Sequence, residues 1–268
     1  MIETAYAKIN HALHVRRRRD DGYHELETLF AFFDAGDVVS AKPAAQDDLR
    51  TVGEFAPQLT DPFNNIVGSV LKSLPHGPGW AVTLEKNLPV AAGLGGGSAD
   101  AGAVFRMVEA QYGLPDDWHA RAVKLGADVP ACVRSVTCIG RGTGTDLTEV
   151  ESDLTGAPVL LVNPRVPLGT APVFAGWDGV DRGALPDGPV SEIARNGRND
   201  LEPSAIVLCP PIADVLAALA QTKAILARMS GSGATCFALY EGAGERDAAA
   251  AAIKAANPGW WQLAGNLR

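Results

Sequence analysis

A chain of 268 residues with 47% hydrophobic and 20% charged residues is globular in composition and long enough for one large domain or two modest ones. Its formal net charge of −8 excludes a general nucleic-acid binder, which needs a basic surface, but allows a local site for anions. The sequence shows no secretory signal and no membrane-length apolar window, so we expect a cytoplasmic protein without membrane contact.

The first half of the chain opens with strand patterns that lead into helices. Up to a glycine-rich loop, the predicted elements are a strand over 2–16, an Asp-Gly turn, one or two strands over 25–43, a helix over 64–74 and a strand over 79–89. After this loop, we predict a helix that Ser98 caps and that ends at Gly113, a helix over 116–133 broken before Pro130, and strands over 135–143 and 146–152. We therefore expect an antiparallel opening followed by helices.

The pattern changes near residue 153, which predicts two domains, 1–153 and 154–268. The second contains a buried strand over 157–164, a segment rich in proline and glycine, a helix over 199–222, a strand–glycine turn–strand over 223–242 and a helix over 244–256. This order predicts an α+β layer. The four cysteines lie in apolar segments without metal-binding spacing, so we expect buried, reduced thiols.

The stretch NLPVAAGLGGGSADAGAVF, from Asn87 to Phe105, has five glycines in ten residues ahead of a helical pattern. A bare loop that enters a helix N-terminus suits a phosphate, because the first helical N–H groups lack partners there. The nucleotide P-loop needs Gly-Lys, which is missing, and the dinucleotide fingerprint fails where Ser98 replaces its third glycine. A structural turn and another kind of phosphate loop both stay open on this pattern.

Three segments resemble the motifs of the GHMP kinase superfamily: Ala5–Asn10 the first, Pro89–Asp100 the second and Met229–Glu241 the third. Within the superfamily, AKIN, DGYHELETLF, LGADVPACV and NDLEP are similar to the 4-diphosphocytidyl-2-C-methyl-D-erythritol kinase family. The segments follow the family order and cover most of the chain. Six ordered segments are a far more specific signal than one glycine loop.

The resemblance implies a two-domain α+β fold with a ribosomal-protein-S5-like α/β domain, a ferredoxin-like α+β domain and an active site in the cleft between them. It implies transfer of the ATP γ-phosphoryl group to the 2-hydroxyl of the cytidine diphosphate-linked methylerythritol, in non-mevalonate isoprenoid synthesis. ATP is then the co-substrate, and Mg²⁺ is expected to be held mainly by the phosphates. We expect no nucleic-acid partner, and both a monomer and a homodimer stay open.

The resemblance also implies roles for single residues. Lys8 and Asp128 form the catalytic pair, in which Asp128 accepts the hydroxyl proton and Lys8 orients it and neutralises charge on the phosphoryl group. The remaining site residues are the ATP-binding residues Pro89, Val90, Ala91, Ala92, Gly93, Leu94, Gly95, Gly96, Gly97, Ser98, Ala99 and Asn65, the substrate-binding residues Asn10, Tyr23, His24 and Phe174, and the third-motif residues Gly231, Ser232 and Gly233. No protein metal ligand is assigned, because Ala99 stands where many relatives have a serine, and Asp100 in the same turn fits both help with Mg²⁺ through a water and repulsion of the triphosphate.

Other interpretations of these residues stay open. Tyr23 and Phe174 also fit core packing, and Asn64 or Asn65 fits a helix cap. Arg16–Arg19 fit a solvated hairpin tip better than a diphosphate clamp. The alternatives for the whole chain are a sibling kinase of the homoserine or mevalonate type and a non-catalytic ATP-binding protein on the same fold. Aromatic stacking surfaces favour the cytidyl substrate over a small alcohol.

Overall fold

The computed structural model describes residues 1–59 and 65–268. The strands are β1 (Ile2–Arg18), β2 (His24–Pro43), β3 (Asp48–Val52), β4 (Trp80–Glu85), β5 (Cys138–Arg141), β6 (Asp146–Glu149), β7 (Pro158–Asn163), β8 (Leu226–Met229), β9 (Cys236–Leu239) and β10 (Trp261–Asn266). The α-helices are α1 (Ile66–Ser73), α2 (Gly96–Tyr112), α3 (Trp118–Leu125), α4 (Val129–Arg134), α5 (Thr170–Ala175), α6 (Val190–Asn196), α7 (Glu202–Leu208), α8 (Pro211–Ala220) and α9 (Ala243–Ala256). A short 3₁₀ helix spans Ala56–Gln58.

The chain forms two compact units and passes between them several times. The first unit contains Met1–Lys8, Ala35–Val90 and Gly95–Ser135, and the second contains Ile9–Asp34, Ala91–Leu94 and Val136–Arg268. Neither unit is one continuous stretch, so this division does not test the predicted domains 1–153 and 154–268.

The first unit contains a small sheet and the helices α1, α2, α3 and α4. The end of β2 pairs antiparallel with β4, which pairs in parallel with β3. Helix α2 packs against α1 and α4 and buries a run of small residues from Ala99 to Ala103. The approach to α4 is close, because a Cβ atom on Gly102 would lie 2.4 Å from the carbonyl oxygen of Cys132. Small side chains let the helix that follows the glycine loop lie deep in this unit.

In the second unit, an antiparallel sheet of order β10–β7–β9–β8 supports the helices α7, α8 and α9. Strand β7 is apolar from Pro158 to Val162, and five of its six residues are buried because the strand lies inside the sheet. The beginning of β2 pairs with β5, and β5 with β6. The core unites apolar residues of β1, β7, β9 and the three helices, including Leu160, Val162, Ile212 and Val215.

Most predicted elements are confirmed, and the differences follow from proline and glycine. Residues 25–43 belong to one strand. The helix predicted over 116–133 is two helices, and Pro130 lies in the first turn of α4, where its missing N–H costs nothing. The helix predicted over 199–222 is likewise divided into α7 and α8 at Cys209 and Pro210. The sequence did not predict α5, which lies in the segment rich in proline and glycine, or α6, which begins where that segment ends.

Two predictions from composition concern the whole of the described chain. All four cysteines are free and buried, as expected for reduced thiols. Within residues 1–59 and 65–268, the helices are too short or too polar to cross a lipid bilayer.

The contact between α2 and α4 gives a stability prediction. Gly102→Ala should lower the free energy of unfolding by about 2–3 kcal/mol, because the added methyl group must displace backbone. The matched control is Gly68→Ala in α1, where a Cβ atom meets nothing within 4 Å. It should leave the protein unchanged or stabilise it by up to about 1 kcal/mol, since alanine favours a helix. Urea denaturation measures both, and equal stabilities would contradict the close contact.

Candidate active site

The first part of the glycine loop, Ala91–Leu94, is held by the third motif within the second unit. Ser230 donates its hydroxyl to the Gly93 carbonyl oxygen at 2.8 Å, and the Thr235 amide donates to the Ala92 carbonyl oxygen at 3.1 Å. Gly93 has a φ of 75°, and a Cβ atom there would lie 2.2 Å from the Ser230 carbonyl oxygen. Only glycine fits this position, because both the backbone conformation and the available space exclude a side chain.

The second part of the loop begins α2 in the first unit. Gly95 is the N-cap residue with a φ of 62°, and the Ala99 amide donates to its carbonyl oxygen at 2.7 Å. The prediction that Ser98 caps this helix is therefore wrong, because the left-handed backbone of Gly95 starts the helix three residues earlier. The first N–H groups of α2 and its positive dipole end then belong to the glycine segment itself.

The predicted catalytic pair meets next to this helix start. Lys8 Nζ lies 2.9 Å from Asp128 Oδ2, and the two side chains are 5% and 33% exposed. A Cβ atom on Gly95 would lie 2.9 Å from Lys8 Cε and 3.7 Å from Asp128 Oδ2. The structure therefore brings together the first motif, the loop glycine and the GADVP segment. The more exposed partner is the carboxylate, so it is the group that a substrate can reach.

Asp100 pairs with Lys86, a contact that the sequence analysis does not predict. It is buried and accepts a hydrogen bond from Lys86 Nζ at 2.8 Å, while Lys86 also donates to Asp37. Asp100 thus compensates part of the buried charge of Lys86. The described residues contain no cluster of three or more side chains suited to hold a metal. Sequence patterns gave no reason to pair Lys86 with Asp37, which lies in the middle of a strand.

Asn10 belongs to a hydrogen-bond chain in the second unit. Its amide N–H donates to Ser230 Oγ at 3.2 Å, and its Nδ2 donates to Thr28 Oγ1 at 2.7 Å. Thr28 in turn donates to the Ala12 carbonyl oxygen at 2.8 Å, which fixes the direction of each bond. A Cβ atom on Gly231 would lie 3.0 Å from Asn10 Oδ1, so the third motif packs directly on this side chain. The sequence predicted neither Ser230 nor Thr28 as part of the site.

The predicted cytidine segment lies beside aromatic rings in the second unit. The His24 ring lies 5.0 Å from Phe174 and 5.8 Å from Trp177 between centroids, whereas Tyr23 is 63% exposed. Burial, and then the charge of Arg18, lower the pKa of His24, so its ring is neutral at pH 7. Its buried Nε2 has no hydrogen-bond partner in the described residues. The segment thus has an exposed Tyr23 ring, a His24 ring packed on Phe174 and Trp177, and a buried His24 Nε2 without a partner among the described residues.

The run Arg16–Arg19 is more structured than a solvated tip. Arg18 donates to the carbonyl oxygens of Ala175 and Trp177 at 3.0 and 2.6 Å, and so fixes the end of α5. Arg16 pairs with Glu27 and Asp181 at 2.6 and 2.9 Å, and Arg19 with Asp21 and Glu25. The solvated prediction fits Arg17 and Arg18, which are exposed, whereas Arg16 and Arg19 are half-buried in their ion pairs.

The remaining predicted residues have local contacts. Asn65 caps α1, since its side chain accepts from the Val67 amide at 2.9 Å, while Asn64 lies outside the described residues. The Val90 amide donates to Gln58 Oε1 at 3.3 Å within the first unit. Ser232 Oγ lies 3.1 Å from Thr170 Oγ1 in the second unit.

Family models and relatives now connect this geometry to known proteins. The GHMP kinase N-terminal domain model matches residues 64–136, and the GHMP kinase C-terminal model matches 187–259. A 4-diphosphocytidyl-2-C-methyl-D-erythritol kinase of Novosphingobium aromaticivorans is 68% identical over 266 residues, which are 99% of this chain and 92% of that protein. The chain belongs to the 4-diphosphocytidyl-2-C-methyl-D-erythritol kinase family.

Other members of this kinase family agree with that assignment. The Erythrobacter litoralis protein of the same name is 63% identical over the whole of both chains. A crystal structure of 4-(cytidine 5'-diphospho)-2C-methyl-D-erythritol kinase matches with a TM-score of 0.82 and 33% identity over 100% of this chain and 99% of that one. A homoserine kinase from Cytophaga hutchinsonii, at 19% identity and a TM-score of 0.68 over 98% and 95% of the two chains, shares the fold. The predicted α+β GHMP kinase fold is confirmed.

The contact of Gly95 with Lys8 gives a prediction for this kinase. Gly95→Ala should lower the rate of phosphoryl transfer by about ten-fold or more, because the methyl group displaces Lys8 and Asp128, the predicted catalytic pair. Gly113→Ala, at the other end of α2, is the matched control, since Gly113 has a φ of 78° and open space around it. Both variants place an alanine at a positive φ and should lose some stability, but only Gly95→Ala should lose activity. Equal kinase activity in both would contradict the steric argument.

Proposed function

We propose that this kinase transfers the γ-phosphoryl group of ATP to the 2-hydroxyl of 4-diphosphocytidyl-2-C-methyl-D-erythritol, giving the 2-phosphate and ADP. The observation that carries the proposal is the Lys8–Asp128 ion pair against Gly95, in a chain that matches relatives of this name over its full length. The pair supplies an acid–base group, and the loop supplies a phosphate site. Together they are the two requirements of phosphoryl transfer.

Lys8 and Asp128 have different roles in this proposal, because Asp128 is the more exposed of the two. Asp128 takes the proton of the acceptor hydroxyl as its oxygen forms the bond to the γ-phosphorus and the bond to the β-phosphate oxygen breaks. Lys8, which is almost fully buried, holds the Asp128 carboxylate in one orientation through the 2.9 Å contact. Its charge also offsets the negative charge of the transferred group.

The glycine segment binds ATP in this proposal. The loop over Pro89–Ala99 brings bare backbone and the N-terminus of α2 to the phosphates, and Asn65 at the start of α1 lies near the adenine. Mg²⁺ enters with the nucleotide and is held mainly by its phosphates, because Asp100 is buried in its contact with Lys86. Gly231, Ser232 and Gly233 support the loop and the acceptor.

The cytidine group is the part of the substrate that sets specificity. Tyr23 is exposed enough to stack on a base, His24 hydrogen-bonds the base edge in this proposal, and Phe174 offers a second ring. Asn10 contacts the acceptor through its fixed carboxamide. The substrates of homoserine and mevalonate kinases have no base to stack, so these rings favour the cytidyl substrate over both small alcohols. The presence of both Lys8 and Asp128 weighs against a non-catalytic protein on the same fold.

The acid–base assignment gives a kinetic prediction. Asp128→Asn and Lys8→Ala should each lower kcat by about 100-fold or more in a folded protein, since each removes one member of the pair. The measurement is coupled ADP release with saturating ATP and cytidyl substrate. Asp116→Asn and Lys124→Ala make the same changes at exposed positions of the first unit and should keep full turnover. Near-normal kcat in either site variant removes that residue from the proposed role.

Substrate choice gives a second prediction. ADP release should be fast with the cytidyl substrate and at background with homoserine and mevalonate. Tyr23→Ala should raise KM for the cytidyl substrate by about ten-fold, because stacking on an aromatic ring is lost, while Tyr23→Phe keeps the ring and stays close to wild type. ADP release with a small alcohol alone would favour the sibling kinases. ATP binding without turnover of any acceptor would favour the non-catalytic alternative.

A further inference from the structure

Three charged side chains meet inside the first unit next to the start of α2. Asp37 comes from β2, Lys86 follows β4, Asp100 belongs to α2, and each is at most 2% exposed. Lys86 Nζ donates to Asp37 Oδ2 and, at 2.8 Å, to Asp100 Oδ2. In this buried triad one ammonium group faces two carboxylates.

The two carboxylates differ in their other partners. Asp37 Oδ1 accepts from the amides of Asn87 and Leu88 at 2.6 and 2.8 Å, so it also fixes the backbone that leads into the glycine loop. Asp100 Oδ1 has no hydrogen-bond partner among the described residues. The charge of Asp100 therefore depends on Lys86 for compensation, since a buried carboxylate without a partner is costly.

The pKa shifts agree with this dependence. Burial opposes the charge of Lys86, but Asp100 and Asp37 outweigh it and raise the pKa of the ammonium. Burial also raises the pKa of Asp100 well above its usual range, although the charge of Lys86 opposes that rise. Lys86 thus stays charged and is the only positive member of the triad.

The triad lies against the first residue of α2. A Cβ atom on Gly96 would lie 3.5 Å from Lys86 Nζ and 3.7 Å from Asp37 Oδ2. Gly96 follows the N-cap residue, where the proposed ATP phosphates meet the helix amides. Without the ammonium, two buried carboxylates would lie next to this point and oppose a triphosphate.

We propose that Lys86 supports ATP binding by charge: its ammonium offsets Asp37 and Asp100 next to Gly96 and keeps the start of α2 able to accept phosphates. Lys86 acts here through the helix terminus and does not touch the reacting atoms. The inference rests on the proposed ATP function of the glycine loop.

The test measures Kd for ATP and for the cytidyl substrate separately, by titration calorimetry on the full chain. Lys86→Met removes the charge at similar length and should raise Kd for ATP by about ten-fold or more, leaving Kd for the cytidyl substrate within about two-fold. Lys42→Met, an exposed position of β2, is the matched control and should change neither constant.

The Asp100→Asn variant distinguishes an effect of charge on ATP binding from an effect of a disrupted structure. The amide keeps the shape and still accepts from Lys86, so Kd for ATP should stay equal or fall, whereas a purely structural role of the contact would raise it. Added to Lys86→Met, Asp100→Asn should restore part of the lost ATP affinity, because it removes a carboxylate that is no longer compensated. Purely structural losses would add instead.

Several outcomes overturn the proposal: unchanged ATP affinity in a folded Lys86→Met variant, equal losses for both ligands, or weaker ATP binding in Asp100→Asn. If Lys86→Met does not fold, the Asp100→Asn variant decides. A wild-type chain that does not bind ATP overturns the proposed function and this inference with it. ATP binding by the wild type together with unchanged affinity in Lys86→Met overturns this inference alone.

Discussion

The glycine loop depends on the absence of side chains where other parts of the chain come within contact distance of its backbone. At Gly93 the neighbour is the Ser230 carbonyl oxygen, and at Gly95 it is the Lys8 side chain. Both glycines also have positive φ, which makes any other residue strained. Glycine is costly to order, so five glycines in ten residues indicate that the loop must lie close to other groups. The absence of a side chain at Gly95 also lets Lys8 and Asp128 lie next to the loop.

Charge burial is the second constraint on the first unit. Lys8, Lys86, Asp37 and Asp100 are all nearly inaccessible, and each lies in an ion pair. Ion pairing offsets the cost of this burial, because the desolvation of an isolated buried charge destabilises the folded state by roughly several kcal/mol. The same pairing orients the groups, so the unit holds the Asp128 carboxylate and the start of α2 in fixed positions. Preorganised charge of this kind is what phosphoryl transfer requires.

The agreement between sequence and structure was uneven for physical reasons. Strands and helices with strong periodicity, such as β1, α2 and α9, could be predicted because the pattern of apolar residues is local. The start of α2 was predicted three residues late, because a serine is the common cap and the left-handed state of Gly95 leaves no pattern of its own. Helix α5 escaped prediction because proline and glycine lie within and around it, whereas the seven-residue α6 contains neither and is too short to show a clear periodicity. The arginine run was judged by its charge, although the carbonyl partners of Arg18 lie more than 150 residues away.

The sequence by itself determined the family, the α+β class and the glycine loop, and it predicted Lys8 and Asp128 as the catalytic pair, because motif order and residue type are properties of the linear chain. Tertiary structure alone decided the partners. Asp100 pairs with Lys86, Ser230 links Asn10 to Gly93, and Trp177 joins His24. These contacts join residues that are 14 to 220 positions apart and depend on where strands and helices lie in space. No local pattern encodes such distances, since a polar residue in a strand looks the same whether its partner is water or a buried lysine.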